Sequence, residues 1–315
     1  MSKAPATTPS IALAGDIGDN VASWVRDLTA ANLSPRTIRS YRDSADLLAG
    51  YLAGQGMPTN VAAITREHVQ SFITDQLARH KPNTAAVRFA ALRVFFNWLV
   101  DEGELKATPM ARMRKPKLDE HLAPVPSEDA VKAMLADCAG MSFDDRRDTA
   151  LLRVFLSTGA RLAEVAGMRW TPSDPTTNDV DLDTRVVRFM GKGRRERVSY
   201  LTPKAIKALD RYLRARKQHP KAESSSLWLG KRGTLTTSGI SQMVRDRSAR
   251  LGLAIHPHSF RHWYADSMLR SGMQEGDLMS LAGWRTRDML SRYAAANRSE
   301  RAIAAARRIT IEDEL

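Results

Sequence analysis

One cysteine, Cys138, in 315 residues excludes an intrachain disulfide framework and zinc sites built from cysteine pairs. No apolar run approaches the ~20 residues that a helix needs to cross a bilayer, so no membrane anchorage is expected. Residues 1–15 are rich in Ala, Thr, Pro and Ser but lack the basic start and apolar core of a signal peptide, and they read as a disordered tail. A GxxxxGKS/T phosphate loop is missing, which leaves ATP binding unsupported. His256, His258 and His262 cluster, but no acidic residue follows at HExxH spacing, so neither a metal nor another cofactor is expected. No repeat of fixed period runs through the chain. These absences together describe a reduced, cytoplasmic protein.

Positive charge is in excess. Lys and Arg number 48 against 35 Asp and Glu, a formal net charge of +13, and both halves of the chain are basic. A chain of this length is expected to form two domains, and its charge suits a polyanionic partner.

Apolar periodicity makes the first part helical. Val21, Trp24, Val25 and Leu28 recur at three-and-four spacing, as do Ile38, Tyr41, Ala45 and Leu48. Ser34 before Pro35 is a strong helix start, predicting a helix over about 35–53. Thr65 opens a third helix to about 79, and Asn83 a fourth that carries Val87, Ala91, Val94, Phe95 and Trp98 towards Gly103. The result is a helical bundle over 16–105. From Lys106 to Pro126 the pattern dissolves into a segment with four prolines and five basic residues, a linker able to lie along a phosphate backbone.

A second domain over 127–315 restarts at Ser127, with Glu128 and Asp129 in the first helical turn. Helices dominate it except for β-compatible runs at 185–190 and 196–201, which flank Gly191-Lys192-Gly193 as a hairpin. Leu227-Trp228-Leu229 is expected to add a third short strand. Thr202-Pro203 starts another helix, and helical periodicity from about 237 breaks near Gly252, Gly272 and Gly283. The fold class is therefore mainly α with a small β-hairpin or sheet in the second domain.

Several side chains in this domain suit phosphodiester chemistry. Arg161 follows Gly159 at a helix boundary, and Glu164 three residues on can hold its guanidinium, although such a pair taken alone is commonly a surface pair. Lys192, between two glycines, can swing towards a phosphate and protonate a departing oxygen. His258 and Arg261, three apart at a helix start, can face one anion, with His262 as a buttress. Trp284 can donate its indole N–H to a phosphate oxygen or pack on Tyr293. A nucleophilic Tyr293 needs cationic neighbours, because a phenol with a pKa of ~10 is scarcely ionised at neutral pH.

TGARLAEVAGMRW (158–170), GKGRRER (191–197), HSFRH (258–262) and AGWRTRDMLSRY (282–293) resemble, in order and spacing, the catalytic boxes of the tyrosine recombinase or phage integrase family. Residues 34–52, SPRTIRSYRDSADLLAGYL, are similar to the opening of that family's helical, SAM-like core-binding domain. The resemblance covers nearly the whole chain. It implies that Arg161 and Arg261 clamp the scissile phosphate, Lys192 is the general acid and His258 shuttles a proton or hydrogen-bonds the phosphate. It further implies that Trp284 fills a position that is histidine in most members, that Tyr293 is the nucleophile and that Glu164 buttresses Arg161.

The implied reaction is cutting and rejoining of double-stranded DNA at specific recombination sites through a 3′-phosphotyrosyl intermediate and a Holliday junction, by a homotetramer. An accessory directionality protein fits the same scheme. An integrase, a chromosome- or plasmid-dimer-resolving recombinase, a type IB topoisomerase and a catalytically inactive DNA-binding regulator remain alternatives at this point.

Three departures from the pattern stand out. The usual Leu-Gly-His is Ala282-Gly283-Trp284, Val198-Ser199-Tyr200-Leu201 lacks the common proline, and the stretch before Ile17 is too short for the arm-site-binding domain of larger integrases, which suggests a simpler DNA requirement. Ile303, Ala306 and Ile309 form a narrow apolar stripe in a C-terminal helix, expected either to dock on a neighbouring protomer or to pack within its own domain.

Overall fold

The computed structural model describes residues 16–118, 124–190 and 196–294 (292–294 by backbone only), together with Ser299, Ala302, Ile303, Ala306 and Arg307. The expected tail at 1–15 and Ile309 lie outside the described residues, whereas Ile303 is described and exposed. The chain divides into two compact units, Met1–Glu120 and His121–Leu315.

In the first unit, α1 (Ile17–Ala30), α2 (Pro35–Gly54), α3 (Arg66–Arg79) and α4 (Pro82–Asp101) are joined by short loops and one 3₁₀ turn, Val61–Ala63. The Ser34 hydroxyl accepts from the Thr37 amide, satisfying an orphan donor at the start of α2, and Pro35 supplies the fixed φ of the first turn. Trp24 on α1 stacks on Tyr41 of α2 and meets Phe95 of α4. Val21, Leu28, Leu48, Leu52, Phe72, Phe89 and Leu92 complete an apolar interior. Of the residues read from the sequence as periodic, Val25 is only half-buried and Val87 and Val94 are exposed, because α4 turns its Phe89, Leu92, Phe95 and Phe96 face inward instead. Leu105, Met110 and Met113 pack on this same core, and Met110 is buried. The beginning of the proline-rich segment is therefore part of the bundle's packing.

The second unit opens with α5 (Glu128–Asp137), α6 (Phe143–Thr158) and the short α7 (Leu162–Ala166). A three-stranded antiparallel sheet follows in the order β1 (Val180–Asp181), β2 (Val186–Met190), β3 (Glu196–Tyr200). Val186 pairs with Tyr200 and Met190 with Glu196, so the two strands close towards residues 191–195, which lie outside the described residues. The short strand expected at 227–229 is found only at its end, beginning at Leu229. Leu229–Gly230 (β4) pairs with Gly233–Thr234 (β5) in a separate two-stranded sheet, and the third strand of the main sheet is β1. Leu227 and Trp228 are instead wholly buried, and the Trp228 indole donates to the Val165 carbonyl at 2.7 Å, which anchors α7.

The remaining helices are α8 (Pro203–Arg216), α9 (Thr237–Arg250), α10 (Pro257–Arg270), α11 (Glu275–Ala282) and α12 (Arg287–Ala294). The buried Arg247 of α9 is ion-paired with Asp137, Asp145 and Asp148, and this clasp ties α9 to α5 and α6. A smaller apolar cluster of Tyr264, Ala265, Leu278, Ala282, Trp284 and Leu290 locks α10, α11 and α12 together. These three helices carry one side of the site.

Candidate active site

Helix α6 ends at Gly159, whose φ of 56° lies in the left-handed region. A side chain there has no room, because an added Cβ would come within 2.4 Å of the Tyr264 ring. Two residues later Arg161 caps α7. Its amide donates to Glu164 Oε2 and its Nη1 to Glu164 Oε1, both at 2.8 Å, so the carboxylate holds backbone and guanidinium at once. Glu164 is buried, whereas 38% of the Arg161 side chain is exposed, which leaves that guanidinium reachable from solvent.

Glu164 has a second cationic partner. Arg197 of β3 donates Nη2 to Oε2 at 2.7 Å and Nη1 to the Leu281 carbonyl, while its central carbon lies 4.5 Å from the centre of the Phe189 ring. Burial pushes the Glu164 carboxyl up, but hydrogen bonds and charge from Arg197, and then bonds from Arg161, more than offset it and hold the group below the ordinary glutamate value. The sequence offered one sign of Arg197, its place at the end of GKGRRER. Its role depends on contacts 33 and 84 residues away, which no local pattern encodes.

Arg261 on α10 is wholly buried. Its Nη1 donates to the Gly159 carbonyl at 2.6 Å and its Nη2 to the Ala282 carbonyl at 2.8 Å. Arg197 and Arg261 thus take neighbouring carbonyls, 281 and 282, at the C-terminal end of α11, where carbonyls lack helical partners and the dipole is negative. Gly283 turns the chain there with φ 65°, and an added Cβ would meet Arg197 Cδ at 2.8 Å. The turn delivers Trp284, 5% exposed, to the Arg261 guanidinium, 4.9 Å from carbon to ring centre. The indole also belongs to the apolar cluster of α10, α11 and α12.

His258 and His262 lie on α10 with their rings edge to face at 5.1 Å; His258 is exposed and His262 buried. Crowding of the His258 ring, followed by the nearby His262, Arg261, His256 and Arg161, pushes its pKa down to about 4. The imidazole is therefore neutral at pH 7, able to accept a proton or a hydrogen bond.

Tyr293 belongs to α12, three residues beyond the buried Leu290 that docks this helix on α10 and α11; its side chain lies outside the described residues. Lys192 falls in 191–195, also outside them. The structure thus brings together Arg161, Glu164, Arg197, His258, Arg261 and Trp284, and it places Tyr293 by its backbone.

In the first unit, α2 and α4 border a groove of about 640 Å³ lined by Arg36, Arg39 and Arg88, with the exposed Leu47 and Val87 beside them. A cationic groove between two helices is a candidate surface for a phosphate backbone.

The second unit thus combines two buttressed arginines from separate elements with a late helix whose backbone carries a tyrosine. The phage integrase family model matches residues 125–300, and the model of the phage integrase N-terminal SAM-like domain matches 21–103. The chain belongs to the phage integrase family, that of the tyrosine recombinases. It is 32% identical to tyrosine recombinase XerC of Salmonella typhi, covering 78% of this chain and 79% of that one. Against tyrosine recombinase XerC of Roseiflexus castenholzii the identity is 30%, over 85% of each chain. Among solved structures, the Tn1549 transposon integrase in complex with transposon right end DNA aligns with a TM-score of 0.71 at 16% identity, covering 93% of this chain and 98% of that one. The lambda integrase tetramer bound to a Holliday junction aligns at 0.66 and 14% identity, covering 86% and 77%. These likenesses establish the fold.

Proposed function

We propose that the chain cuts and rejoins double-stranded DNA at specific sites, with Tyr293 as nucleophile. The observation that carries this reading is the pair Arg161 and Arg261. They arise from separate elements and are held by Glu164 and by the carbonyls of Gly159 and Ala282, and α10, which bears Arg261, packs against the helix that bears the tyrosine. In this reading the phenol oxygen attacks phosphorus and the bond to the 5′ oxygen breaks. Lys192 gives that oxygen its proton, and His258, neutral at pH 7, accepts the proton of the phenol or a hydrogen bond from the phosphate environment. The arginines neutralise charge developing on the non-bridging oxygens. A 5′ hydroxyl of the partner duplex then attacks the phosphotyrosyl bond, conserving its energy and releasing the tyrosine. Two such exchanges pass through a Holliday junction, which calls for four protomers on two sites. No metal or nucleotide enters any step.

The cationic α2/α4 groove serves site binding in this scheme, and the segment 106–126 joins the binding and catalytic domains. Action in the cytoplasm belongs to this reading, since its substrate is DNA; among the described residues no helix is long and apolar enough to cross a membrane. An accessory directionality protein is consistent with this scheme.

The test begins with a duplex selected for binding from a randomised pool and nicked near its cleavage point, so that the 5′ fragment diffuses away. The protein should accumulate as a covalent DNA adduct, and Tyr293→Phe should abolish it; an adduct that survives this change would sink the assignment. Relaxation of plasmids lacking any selected site would favour a type IB topoisomerase. Binding without cleavage would favour an inactive regulator. Whether the sites belong to a mobile element or to a replicon whose dimers are resolved is read from where the selected sequence occurs in the source DNA.

A further inference from the structure

Strand β3 carries a residue whose bonds reach both arginine-bearing corners of the site. The Arg197 side chain is 9% exposed and directs its nitrogens inward, to Glu164 on α7 and to the Leu281 carbonyl on α11. It is therefore placed to arrange other groups rather than to meet DNA.

We propose that Arg197 is a positioning residue for strand cleavage: by occupying Oε2 of Glu164, it confines Arg161 to a single-nitrogen contact and leaves the rest of that guanidinium for the scissile phosphate. This rests on the recombinase reading of the site. An arginine and a carboxylate prefer a two-pronged pairing, with two nitrogens on two oxygens. Here the pairing is interrupted. Oε1 takes Arg161 Nη1, while Oε2 is filled by the Arg161 amide and by Arg197 Nη2. Nε and Nη2 of Arg161 meet no acceptor among the described residues, on a side chain that is 38% exposed.

Without Arg197, a buried carboxylate oxygen would lose its charged partner. Oε2 would keep the Arg161 amide alone, and a buried carboxylate oxygen without a charged donor is costly, so a second nitrogen of Arg161 is driven to close on it. The guanidinium would then be spent on its own buttress. The Leu281 carbonyl would be released as well, next to the Ala282 carbonyl that seats Arg261, so both arginines respond to this one side chain.

The test uses the full chain, the selected nicked duplex and a copy of that duplex with a methylphosphonate at the scissile position, which removes the non-bridging charge that Arg161 neutralises. Arg197→Met should slow single-turnover adduct formation by about 100-fold, the scale of a lost transition-state donor. Duplex affinity should stay within about threefold. The methylphosphonate should narrow the gap to below about tenfold, and Arg197→Met placed on Arg161→Ala should cost less than about threefold more, because coupled residues are not additive. Arg197→Lys, which can still hold Oε2, should recover part of the rate.

A rate within threefold of the parent, a gap that persists on methylphosphonate, or a full multiplicative loss on top of Arg161→Ala would each overturn the proposal. Should Arg197→Met fail to melt cooperatively, the same comparison is read with Arg197→Lys, where a multiplicative loss again overturns it. A parent protein that forms no adduct defeats the recombinase reading itself, whereas an active parent matched by an equally active Arg197→Met defeats only the role of Arg197.

Discussion

The Arg261 guanidinium lies against the face of Trp284, its central carbon 4.9 Å from the ring centre, while two of its nitrogens are fixed on the Gly159 and Ala282 carbonyls. In the recombinase reading the indole takes the place expected of a histidine, and in the structure it covers a buried cation. Trp284→Ala should slow adduct formation by roughly 10- to 30-fold, the equivalent of about 1–2 kcal/mol for a desolvated cation–π contact. It should also lower stability by about 3 kcal/mol through the cavity left in the α10–α12 cluster. Trp284→His should keep more of both. Single-turnover cleavage with urea unfolding checks the pair, and an unimpaired alanine variant would remove the indole from the site.

Gly159 carries both a left-handed turn and the carbonyl that Arg261 holds. Gly159→Ala should cost about 1–3 kcal/mol in strain and overpacking against Tyr264. Because the carbonyl moves with the turn, cleavage should fall further than the loss of folded protein explains. Denaturant midpoints compared with cleavage rates at a temperature where the variant is folded will show it.

His258 should titrate near a pKa of about 4 in the free protein, by NMR of the imidazole. Its folded value lies below the ordinary 6.5, so the unfolded chain binds more protons between the two, and the contribution of this group to stability falls as pH drops from about 6.5 towards 4. A bound phosphate opposes the surrounding positive charge. The imidazole pKa should therefore rise when the selected duplex is added, and an unmoved resonance would place His258 away from the phosphate.

The Arg247 clasp makes the second domain acid-sensitive. Hydrogen bonds from Arg250 and Arg247 hold the Asp137 carboxyl below its ordinary value despite partial burial, and hydrogen bonds from Ser142 and Arg247 do the same for Asp145. Depressed carboxylates contribute stability that is complete above the unfolded value near 3.8 and is lost as pH falls through the folded values beneath it. Arg247→Ala should destabilise by roughly 3–5 kcal/mol at neutral pH, because it strands carboxylates around the buried Asp148. Urea unfolding from pH 7 to 3 tests both statements.

If the α2/α4 groove binds DNA backbone, Arg36→Ala, Arg39→Ala and Arg88→Ala should each weaken binding across all sequences and reduce the slope of log affinity against log salt by about 1. Titrations at several salt concentrations decide this, and slopes equal to the parent's would place the phosphates elsewhere.

Much of the helical layout was legible in the sequence because its signals are short-range. Ser34-Pro35, Ser127 and Thr202-Pro203 cap helices through a bond to an amide three residues on, and Gly159 and Gly283 stop them in left-handed turns. Strand β1 carries no sequence signal, since two residues have no period, and in Leu227-Trp228-Leu229 only Leu229 pairs, because a buried apolar run looks the same whether it pairs or only packs.

The sequence by itself determined the two-domain helical character, the basic charge and the order of Arg161, Lys192, His258, Arg261, Trp284 and Tyr293, all of which depend on residue type and close spacing. Tertiary structure alone decided that Arg261 is buried under Trp284 with its nitrogen on a carbonyl 102 residues away, and that Arg197 shares Glu164 with Arg161 and reaches Leu281 across 84 residues. The physical reason is that a guanidinium and a carbonyl carry no pattern that names their partner. They meet only after α6, α10, α11 and β3 have packed, when the unsatisfied carbonyls at the end of one helix become acceptors for cations that the rest of the fold has brought to them.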